Sequence, residues 1–268
     1  MDNAVIKVIG IGTAGNEILN KIAHRKISGV ELAGIDTNHE NLNKEVEVAL
    51  QNSDLVFILM EMSEKKNSEI NAIVAQTAKA KGILTMTVAV TSVNSNGETE
   101  EIEKLKEISD TVIVLSLKKL AEADPSATFD KIFEKRDESF IKNVEFIANV
   151  INKQGVVNLD LDDVKKMLKD SKTAVTVFGK GEGQDRIKLI LEQLSNYPFS
   201  KNLSKKARKI MINIVGGADI GLQEIQEIVQ KTFQKFGSDK TGVLWGYNMN
   251  PEVEEEIEVG ILMTDFSD

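Results

Sequence analysis

The chain has no cysteine and only two histidines, His24 and His39, among its 268 residues. Without cysteine it forms neither disulfides nor thiolate metal sites. Two histidines also argue against a metal centre ligated by imidazole groups. We therefore expect no metal site.

Long apolar runs are also absent from the sequence. No run approaches the roughly 20 residues that cross a bilayer. The N-terminus, MDNAVIKVIG, lacks the charged and then apolar build of a signal peptide. We therefore expect a cytoplasmic protein with no direct insertion into a membrane.

Positive charge is scarce relative to negative charge, and the formal net charge is −9. This balance argues against a nucleic-acid partner, because nucleic-acid binders neutralise phosphates with Lys and Arg. The one basic cluster, KKARK at 205–209, is interpreted as a solvated edge of a helix or strand.

The first half of the chain alternates apolar strands with amphipathic helices. Strands are predicted at AVIKVIGIG, VELAGID, LVFILM, ILTMTVAV and TVIVLSL. Because these strands are continuously apolar, they predict a parallel sheet covered by helices on both faces. The turn GIGTAGN after the first strand precedes a helix predicted from about Asn16 to Arg25. Residues 1–127 are thus predicted to form a Rossmann-like α/β domain.

An apolar stripe from Phe129 to Ile151 predicts one long helix, assigned to 128–155. Four further strands follow, with helices after the first two. The last of them, EEEIEVGILMTDF, alternates apolar and polar residues, which predicts a half-exposed strand in a mixed or antiparallel sheet. Residues 156–268 are therefore predicted to form a second, smaller α/β domain.

Four segments, in this order and spacing, resemble the tubulin/FtsZ superfamily, and FtsZ more than tubulin. They are IKVIGIGTAGNEILNKI with GVELAGIDTN; SDLVFILMEM through AKAKGILTMTVAVTS; GVVNLDLDDVKKML; and GKGEGQDR with MINIVGGADIGLQEI and EEEIEVGILMTDF. The resemblance covers nearly the whole chain. It implies the FtsZ fold, in which a Rossmann-like domain, a long central helix and a smaller C-terminal domain follow one another.

In the family that this chain resembles, GTP binds at the carboxyl ends of the parallel strands, where glycine loops and helix N-termini approach the phosphates. The positions that match this pocket are Gly10, Gly12, Gly15, Asn16 and, on the long helix, Glu138. The first loop is one residue shorter than the family pattern. By itself it is equally well interpreted as a tight turn from strand to helix.

The second glycine loop of the family aligns with SEKKNSE at 63–69, which contains no glycine. Side chains there prevent close approach of the backbone to phosphates, and Glu61, Glu64 and Glu69 add negative charge. We therefore expect no GTP or GDP cofactor. Two alternatives stay open: Lys65 and Lys66 replace the lost contacts, or EKKNSE is a solvated helix start.

The third segment carries the N-x-D-x-x-D pattern at Asn158, Asp160 and Asp163. The resemblance implies that these residues enter the nucleotide pocket of the next subunit and act there in trans. Asp160 and Asp163 also suit the first turn of a helix, where carboxylates cap free N–H groups. The residues alone favour the helix cap, and the resemblance makes the two interpretations nearly even.

These observations predict an FtsZ-like cytoskeletal protein that does not bind or hydrolyse GTP. Its partner is a second copy, joined head to tail, or a true FtsZ whose filaments it modulates. Glu64, Lys65 and Lys66 are the predicted assembly contact. The alternative is a divergent GTPase that polymerises like FtsZ. A dinucleotide-binding oxidoreductase is disfavoured because, although 10–15 reads G-x-G-x-x-G, the second domain matches no such enzyme.

Overall fold

The computed structural model of the chain describes residues 4–36, 41–62, 65–93, 99–153, 155–200, 203 and 205–267. The fold divides into two compact units. The first comprises residues 1–152 and 168–172, and the second comprises 153–167 and 173–268. The predicted domain boundaries near 127 and 155 stay predictions.

The first unit is built on a parallel sheet, as its apolar strands predict. Its strands are β1 (Ile6–Ile11), β2 (Val30–Ile35), β3 (Leu55–Glu61), β4 (Leu84–Thr91) and β5 (Thr111–Ser116), in the order β2-β1-β3-β4-β5. Its helices are α1 (Gly12–Arg25), α2 (Leu42–Ala49), α3 (Lys65–Ala80), α4 (Thr99–Ile108), α5 (Leu117–Ala123) and α6 (Phe129–Asn152). The Rossmann-like fold and the long helix are thereby confirmed.

The central strands of this sheet are buried on both faces. Every residue of β4 and all of β3 except Glu61 are buried. Helix α3 packs Val74, Ala75 and Ala78 into the core on one side of the sheet, and none of the three is exposed. Burial on both faces explains why the strands are continuously apolar instead of alternating.

Three helix assignments differ from the sequence predictions. Helix α1 begins at Gly12, directly after β1, and not at Asn16. Helices α2 and α5 were not predicted. Helix α2 spans eight residues; it buries Val46 fully and packs Leu42 and Ala49 partly against the same core. Helix α5 spans seven residues and is capped by the side chain of Ser116.

The second unit contains a mixed sheet, which confirms that part of the predicted fold. Its elements are α7 (Leu161–Leu168), β6 (Lys172–Glu182), α8 (Arg186–Asn196), β7 (Lys206–Gly216), α9 (Leu222–Phe236), β8 (Gly237–Met249) and β9 (Glu256–Ser267). The order is β6-β9-β7-β8, with β9 antiparallel to both neighbours and β7 parallel to β8.

The prediction that the last strand is half-exposed is wrong for most of its length. Strand β9 lies between β6 and β7, and Ile261 and Leu262, which point to opposite faces, are both fully buried. Only the start of the strand, where Glu258 is exposed, matches the expected alternation.

Candidate functional site

A cavity of about 440 Å³ opens in the first unit next to the ends of β1 and β3 and the starts of α1 and α3. We call it the candidate pocket. Ligands of parallel α/β sheets bind at this edge, where strands end and helices begin. The pocket is lined by Thr13, Ala14, Glu17, Lys21, Glu61, Asn67, Phe133, Arg136 and Asp137.

Two of the predicted pocket glycines serve the packing of α1 on β1. A Cβ atom on Gly10 would lie 2.5 Å from the carbonyl oxygen of Gly15. A Cβ atom on Gly15 would lie 2.9 Å from the carbonyl oxygen of Leu59 on β3. The close approach of helix to strand therefore explains both glycines without a phosphate.

Gly12 has the left-handed backbone that glycine favours, with φ +71°, and the side chain of Asn67 lies against it. A Cβ atom on Gly12 would be 2.9 Å from Asn67 Oδ1. Asn67 Nδ2 donates a hydrogen bond to the Glu61 carbonyl oxygen at 3.0 Å, and the residue is 4% exposed. Asn67 thus occupies the space above Gly12.

Asn16 lies away from the candidate pocket, under strand β2. A Cβ atom on Gly34 would collide with Asn16 Oδ1. That oxygen is buried and has no hydrogen-bond partner among the described residues. Asn16 is not one of the residues that line the candidate pocket.

A network of ion pairs crosses the candidate pocket, with Asp137 at its centre. Arg136 donates from Nε and Nη2 to Asp137 Oδ1, each at 2.8 Å. Lys21 Nζ donates to Asp137 Oδ2 at 2.5 Å. Arg136 Nη1 also lies 3.6 Å from Glu61 Oε1. Both carboxylate oxygens of Asp137 are therefore engaged, and so are the two cations that line the pocket.

Arg136 is further held by the ring of Phe133, whose centroid lies 4.9 Å from the guanidinium carbon. Arg136 is 7% exposed. A buried guanidinium is retained when its donors are paired, because leaving it unpaired is costly. The pocket lining carries three carboxylates, on Glu17, Glu61 and Asp137, against two cations.

Glu138 follows Asp137 but points to a different surface. Its Oε2 accepts a hydrogen bond from Arg25 Nη2 at 2.8 Å, and its side chain is 42% exposed. Among the described residues, the lining of the candidate pocket includes Asp137 and not Glu138. The assignment of Glu138 to the pocket stays a prediction.

The predicted assembly contact is described only in part, since Glu64 lies outside the described residues. Lys65 begins α3, and its side chain is 86% exposed, with Nζ 3.9 Å from Glu69 Oε1. Lys66 is also exposed. Neither lysine is among the described residues that line the candidate pocket.

The three predicted trans-acting residues belong to the second unit, and two of them, Asp160 and Asp163, cap α7. Asp163 N donates to Asp160 Oδ1 at 2.9 Å, and Asp160 N donates to Asp163 Oδ2 at 3.3 Å. Asn158 Oδ1 accepts from Gly155 N at 2.6 Å. The two aspartates thus form a reciprocal cap, and Asn158 and Asp160 are exposed.

In the second unit, Arg186 lies between Asp219 and Glu224. We call these three residues the arginine triad, and the sequence analysis missed them. Arg186 on α8 is 7% exposed and donates from Nε and Nη2 to the two carboxylate oxygens of Glu224, at 2.7 and 2.8 Å. It also pairs with Asp219 through Nη1. Hydrogen bonds from Arg186 lower the pKa of the Glu224 and Asp219 carboxyls. The partners are 33 and 38 residues away, so no local spacing reveals them.

Within the described residues, no helix has the length and apolar character needed to cross a membrane. The same part of the chain holds no group of three metal-ligating side chains.

Comparison with known proteins agrees with this architecture. Residues 172–267 match the model of the FtsZ family C-terminal domain. The chain is 30% identical to cell division protein FtsZ 1 of Pyrococcus abyssi over 275 residues, covering 96% of this chain and 73% of that protein. It is 29% identical to cell division protein FtsZ 1 of Thermococcus kodakarensis over 278 residues, covering 97% and 74%.

Solved structures show the same fold. An FtsZ dimer of M. jannaschii, described as empty, superposes with a TM-score of 0.85 at 24% identity, covering 98% of this chain and 89% of that one. CetZ from Methanosaeta thermophila superposes with a TM-score of 0.75 at 15% identity, covering 97% and 86%. The identity to its relatives and the extent of their match show that this chain belongs to the FtsZ family, within the tubulin/FtsZ superfamily.

Proposed function

We propose that this chain is an FtsZ-like cytoskeletal protein of cell division that assembles without bound GTP. The family and the names of its relatives, each a cell division protein FtsZ, support the cytoskeletal and cell-division role. The loss of GTP is our inference from the residues of the candidate pocket.

The position of Asn67 carries this inference. A phosphate approaches a glycine loop closely because no side chain stands in its way. Here Asn67 lies 2.9 Å from where a Cβ atom of Gly12 would be, and a hydrogen bond to the Glu61 carbonyl holds it there. The side chain therefore takes the space that a phosphate oxygen needs next to Gly12.

The ion-pair network argues in the same direction. Side-chain cations that are free to pair with a triphosphate strengthen its binding. Lys21 and Arg136, the two cations of the pocket lining, already pair with Asp137 and Glu61. Binding GTP would break these pairs and bring phosphates near three carboxylates. These residues do not fit GTP, and we derive no hydrolysis step.

Assembly is the part of the family function that this chain retains in our proposal. The next subunit is contacted by Asn158, Asp160 and Asp163, of which the first two are exposed. Lys65 and Lys66 supply the positive charge that pairs with these carboxylates. Lys65 is exposed, and its Nζ lies 3.9 Å from Glu69 Oε1, close to the outer limit of an ion pair. A contact between two different surfaces is heterologous, so it extends into an open filament or caps one.

The second candidate function is a GTP-binding protein that polymerises like FtsZ. The volume of the candidate pocket favours it, because about 440 Å³ lies within the range of about 300–1,000 Å³ for small-molecule sites. In this case Arg136 or Lys21 would leave Asp137 when the nucleotide binds.

Calorimetry and thermal unfolding with GTP and GDP distinguish the two candidates. A ligand present at about 100 times its Kd stabilises the folded state by about 2.7 kcal/mol, so binding at micromolar concentrations would raise the Tm clearly. We expect no heat of binding and no shift. A heat of GTP binding, or a rise in Tm with GTP, would support the GTPase and overturn our proposal, and loss of that effect in Lys65→Ala/Lys66→Ala would show that these two lysines take part. An FtsZ known to bind GTP is the positive control.

A further inference from the structure

A second cavity lies in the second unit, between α8 and α9. It has a volume of about 290 Å³ and is lined by Leu191, Leu194, Ser195, Lys231, Thr232, Gln234, Lys235 and Phe236. We call it the α8–α9 groove. Leu194, Thr232 and Phe236 form its floor, since each is less than 7% exposed, and the lysines stand on its rim.

The floor of the groove contains a polar atom without a partner. Thr232 is 1% exposed, and its hydroxyl makes no hydrogen bond with any described residue. A threonine within a helix normally donates to the carbonyl four residues earlier, and buried hydroxyls are nearly always partnered. The Thr232 oxygen is itself shielded from solvent, so the floor offers no exposed donor, and recognition of a ligand rests on the apolar floor and the basic rim.

The rim of the groove is basic although the chain as a whole is acidic. Among the described residues, its lining includes Lys231 and Lys235 and no Asp or Glu. Lys206, from the basic cluster at 205–209, donates from Nζ to the carbonyl oxygen of Lys235 at 2.5 Å. A third lysine thus lies at the C-terminal end of α9, next to the groove lining, in a protein whose net charge is −9.

We propose that the α8–α9 groove binds an acidic peptide segment that carries one large apolar side chain. The apolar side chain packs on Leu194 and Phe236, and the carboxylates of the peptide pair with Lys231 and Lys235. The volume lies just below the range of small-molecule sites, about 300–1,000 Å³, which suits a single inserted side chain. A bilayer surface does not fit, because the apolar floor is recessed.

This site is independent of the proposed loss of GTP, since it uses other residues in the other unit. It provides a point of attachment for a partner with an acidic segment. The two proposals can therefore fail separately.

Fluorescence anisotropy on the full chain tests the groove. The probe is a fluorescein-labelled peptide, Glu-Glu-Asp-Phe-Asp-Glu-Glu, and the control peptide has Ala in place of Phe. We expect saturable binding with a Kd of about 10–100 µM, at least about tenfold weaker binding of the Ala peptide, and weakening as salt rises.

Variants assign the binding to the groove. Lys231→Glu/Lys235→Glu is expected to weaken binding at least about tenfold, and Lys118→Glu/Lys119→Glu, an equal change of charge on the exposed face of α5, to leave it unchanged. If the charge reversal prevents folding, Lys231→Gln/Lys235→Gln replaces it.

Three results would overturn the proposal. The first is equal affinity for the Phe and Ala peptides. The second is binding that the lysine variants leave unchanged, or no binding up to about 1 mM peptide. The third is lysine-dependent binding to vesicles containing phosphatidylserine by a protein that does not bind the peptide, which would identify a membrane contact instead.

Discussion

Lys21 on α1 and Asp137 on α6 are joined by a hydrogen bond of 2.5 Å between Nζ and Oδ2. The two residues are 116 positions apart in the sequence. The bond ties the first helix after β1 to the long helix across the candidate pocket. Asp137 is 5% exposed, whereas half of the Lys21 side chain is exposed, and this asymmetry leads to the first prediction.

Asp137→Asn should destabilise the protein far more than Lys21→Met does. Loss of the charge leaves the buried guanidinium of Arg136 with a neutral amide at position 137 and with Glu61, at 3.6 Å, as its remaining anionic partner among the described residues. Breaking a buried pair in this way costs about 3–5 kcal/mol. Lys21 is exposed, so its removal should cost less than about 1 kcal/mol. Urea unfolding measures both values. Equal costs for the two variants would show that Arg136 does not depend on Asp137.

The second prediction concerns the contact of Asn67 with Gly12. Gly12 and Gly82 have nearly the same backbone, with φ +71° and +72°, but a Cβ atom on Gly82 would meet nothing within 4 Å. Gly82→Ala should therefore report the cost of the left-handed backbone alone, about 1–2 kcal/mol. Gly12→Ala should cost more, because its Cβ atom also collides with Asn67 Oδ1.

The double variant Gly12→Ala/Asn67→Ala isolates the steric part of that cost. Relative to Asn67→Ala, adding Gly12→Ala should cost about as much as Gly82→Ala, since the colliding side chain is gone. The free energies come from the same urea experiment, as a double-mutant cycle. Strictly additive effects at positions 12 and 67 would mean that Asn67 does not fill the space above Gly12.

The sequence predicts the strands and the long helix well because these elements bury continuous or periodic apolar surface. Helix α2 was missed although Leu42, Val46 and Ala49 recur at helical spacing, because the helix spans only eight residues. The start of α1 was placed at Asn16 because Gly12 and Gly15 suggest a loop, whereas Gly15 lies under the helix to let it approach β3. A glycine needed for packing and a glycine needed for a ligand look the same in a sequence.

The site residues assigned to the nucleotide pocket from the sequence stay predictions, and none of them is among the described residues that line the candidate pocket. The absence of glycine at 63–69 is visible in the sequence. That Asn67 covers Gly12, and that Arg136 pairs with Asp137 and Glu61, depends on tertiary contacts. Oppositely charged residues are numerous in a chain with 28% charged residues, so their number does not identify which of them pair.

The third prediction concerns pH and the arginine triad of the second unit. In the folded protein, hydrogen bonds from Arg186 hold the pKa of Glu224 below its ordinary value of 4.5. A lowered pKa stabilises the fold above pH 4.5, and that stabilisation is lost as the pH falls through the lower, folded-state pKa. Glu224→Gln should cost about 2 kcal/mol at pH 7, because a buried arginine loses one of its two carboxylates.

The same variant should cost less and less as the pH falls below 4.5, because the wild-type carboxyl becomes protonated as the pH falls through its lowered pKa. The measurement is the free energy of unfolding of wild type and Glu224→Gln between pH 3 and 7. Glu227→Gln is the matched control, since Glu227 is exposed on the same helix and should change stability little at any pH. A deficit of Glu224→Gln that persists undiminished at pH 3 would contradict the ionic origin of the effect.

The fourth prediction is assembly without nucleotide, through the cap of α7. Asp160 is exposed, and its carboxylate is proposed to face Lys65 and Lys66 of the next subunit. Asp160→Lys should therefore abolish association, whereas Asp160→Asn, which caps a helix as well as aspartate does, should weaken it and leave the Tm unchanged. Asp162→Lys changes the charge equally in the same turn and serves as the control for a general effect of charge.

Light scattering and sedimentation without nucleotide measure this association. Contacts between exposed charges are screened beyond about 8 Å at physiological ionic strength, so association should decrease as salt is added. Charge exchange provides the sharpest test: Lys65→Asp/Lys66→Asp should fail to associate alone, and mixing it with Asp160→Lys should restore contacts between unlike subunits. A wild-type chain that stays monomeric at about 50 µM at every salt concentration would rule out self-assembly.

A pull-down with an intact FtsZ then decides the capping role. A chain that inserts Asp160 into this partner would lose binding in Asp160→Lys and keep it in Asp162→Lys. No other mode of binding predicts this difference between the two variants.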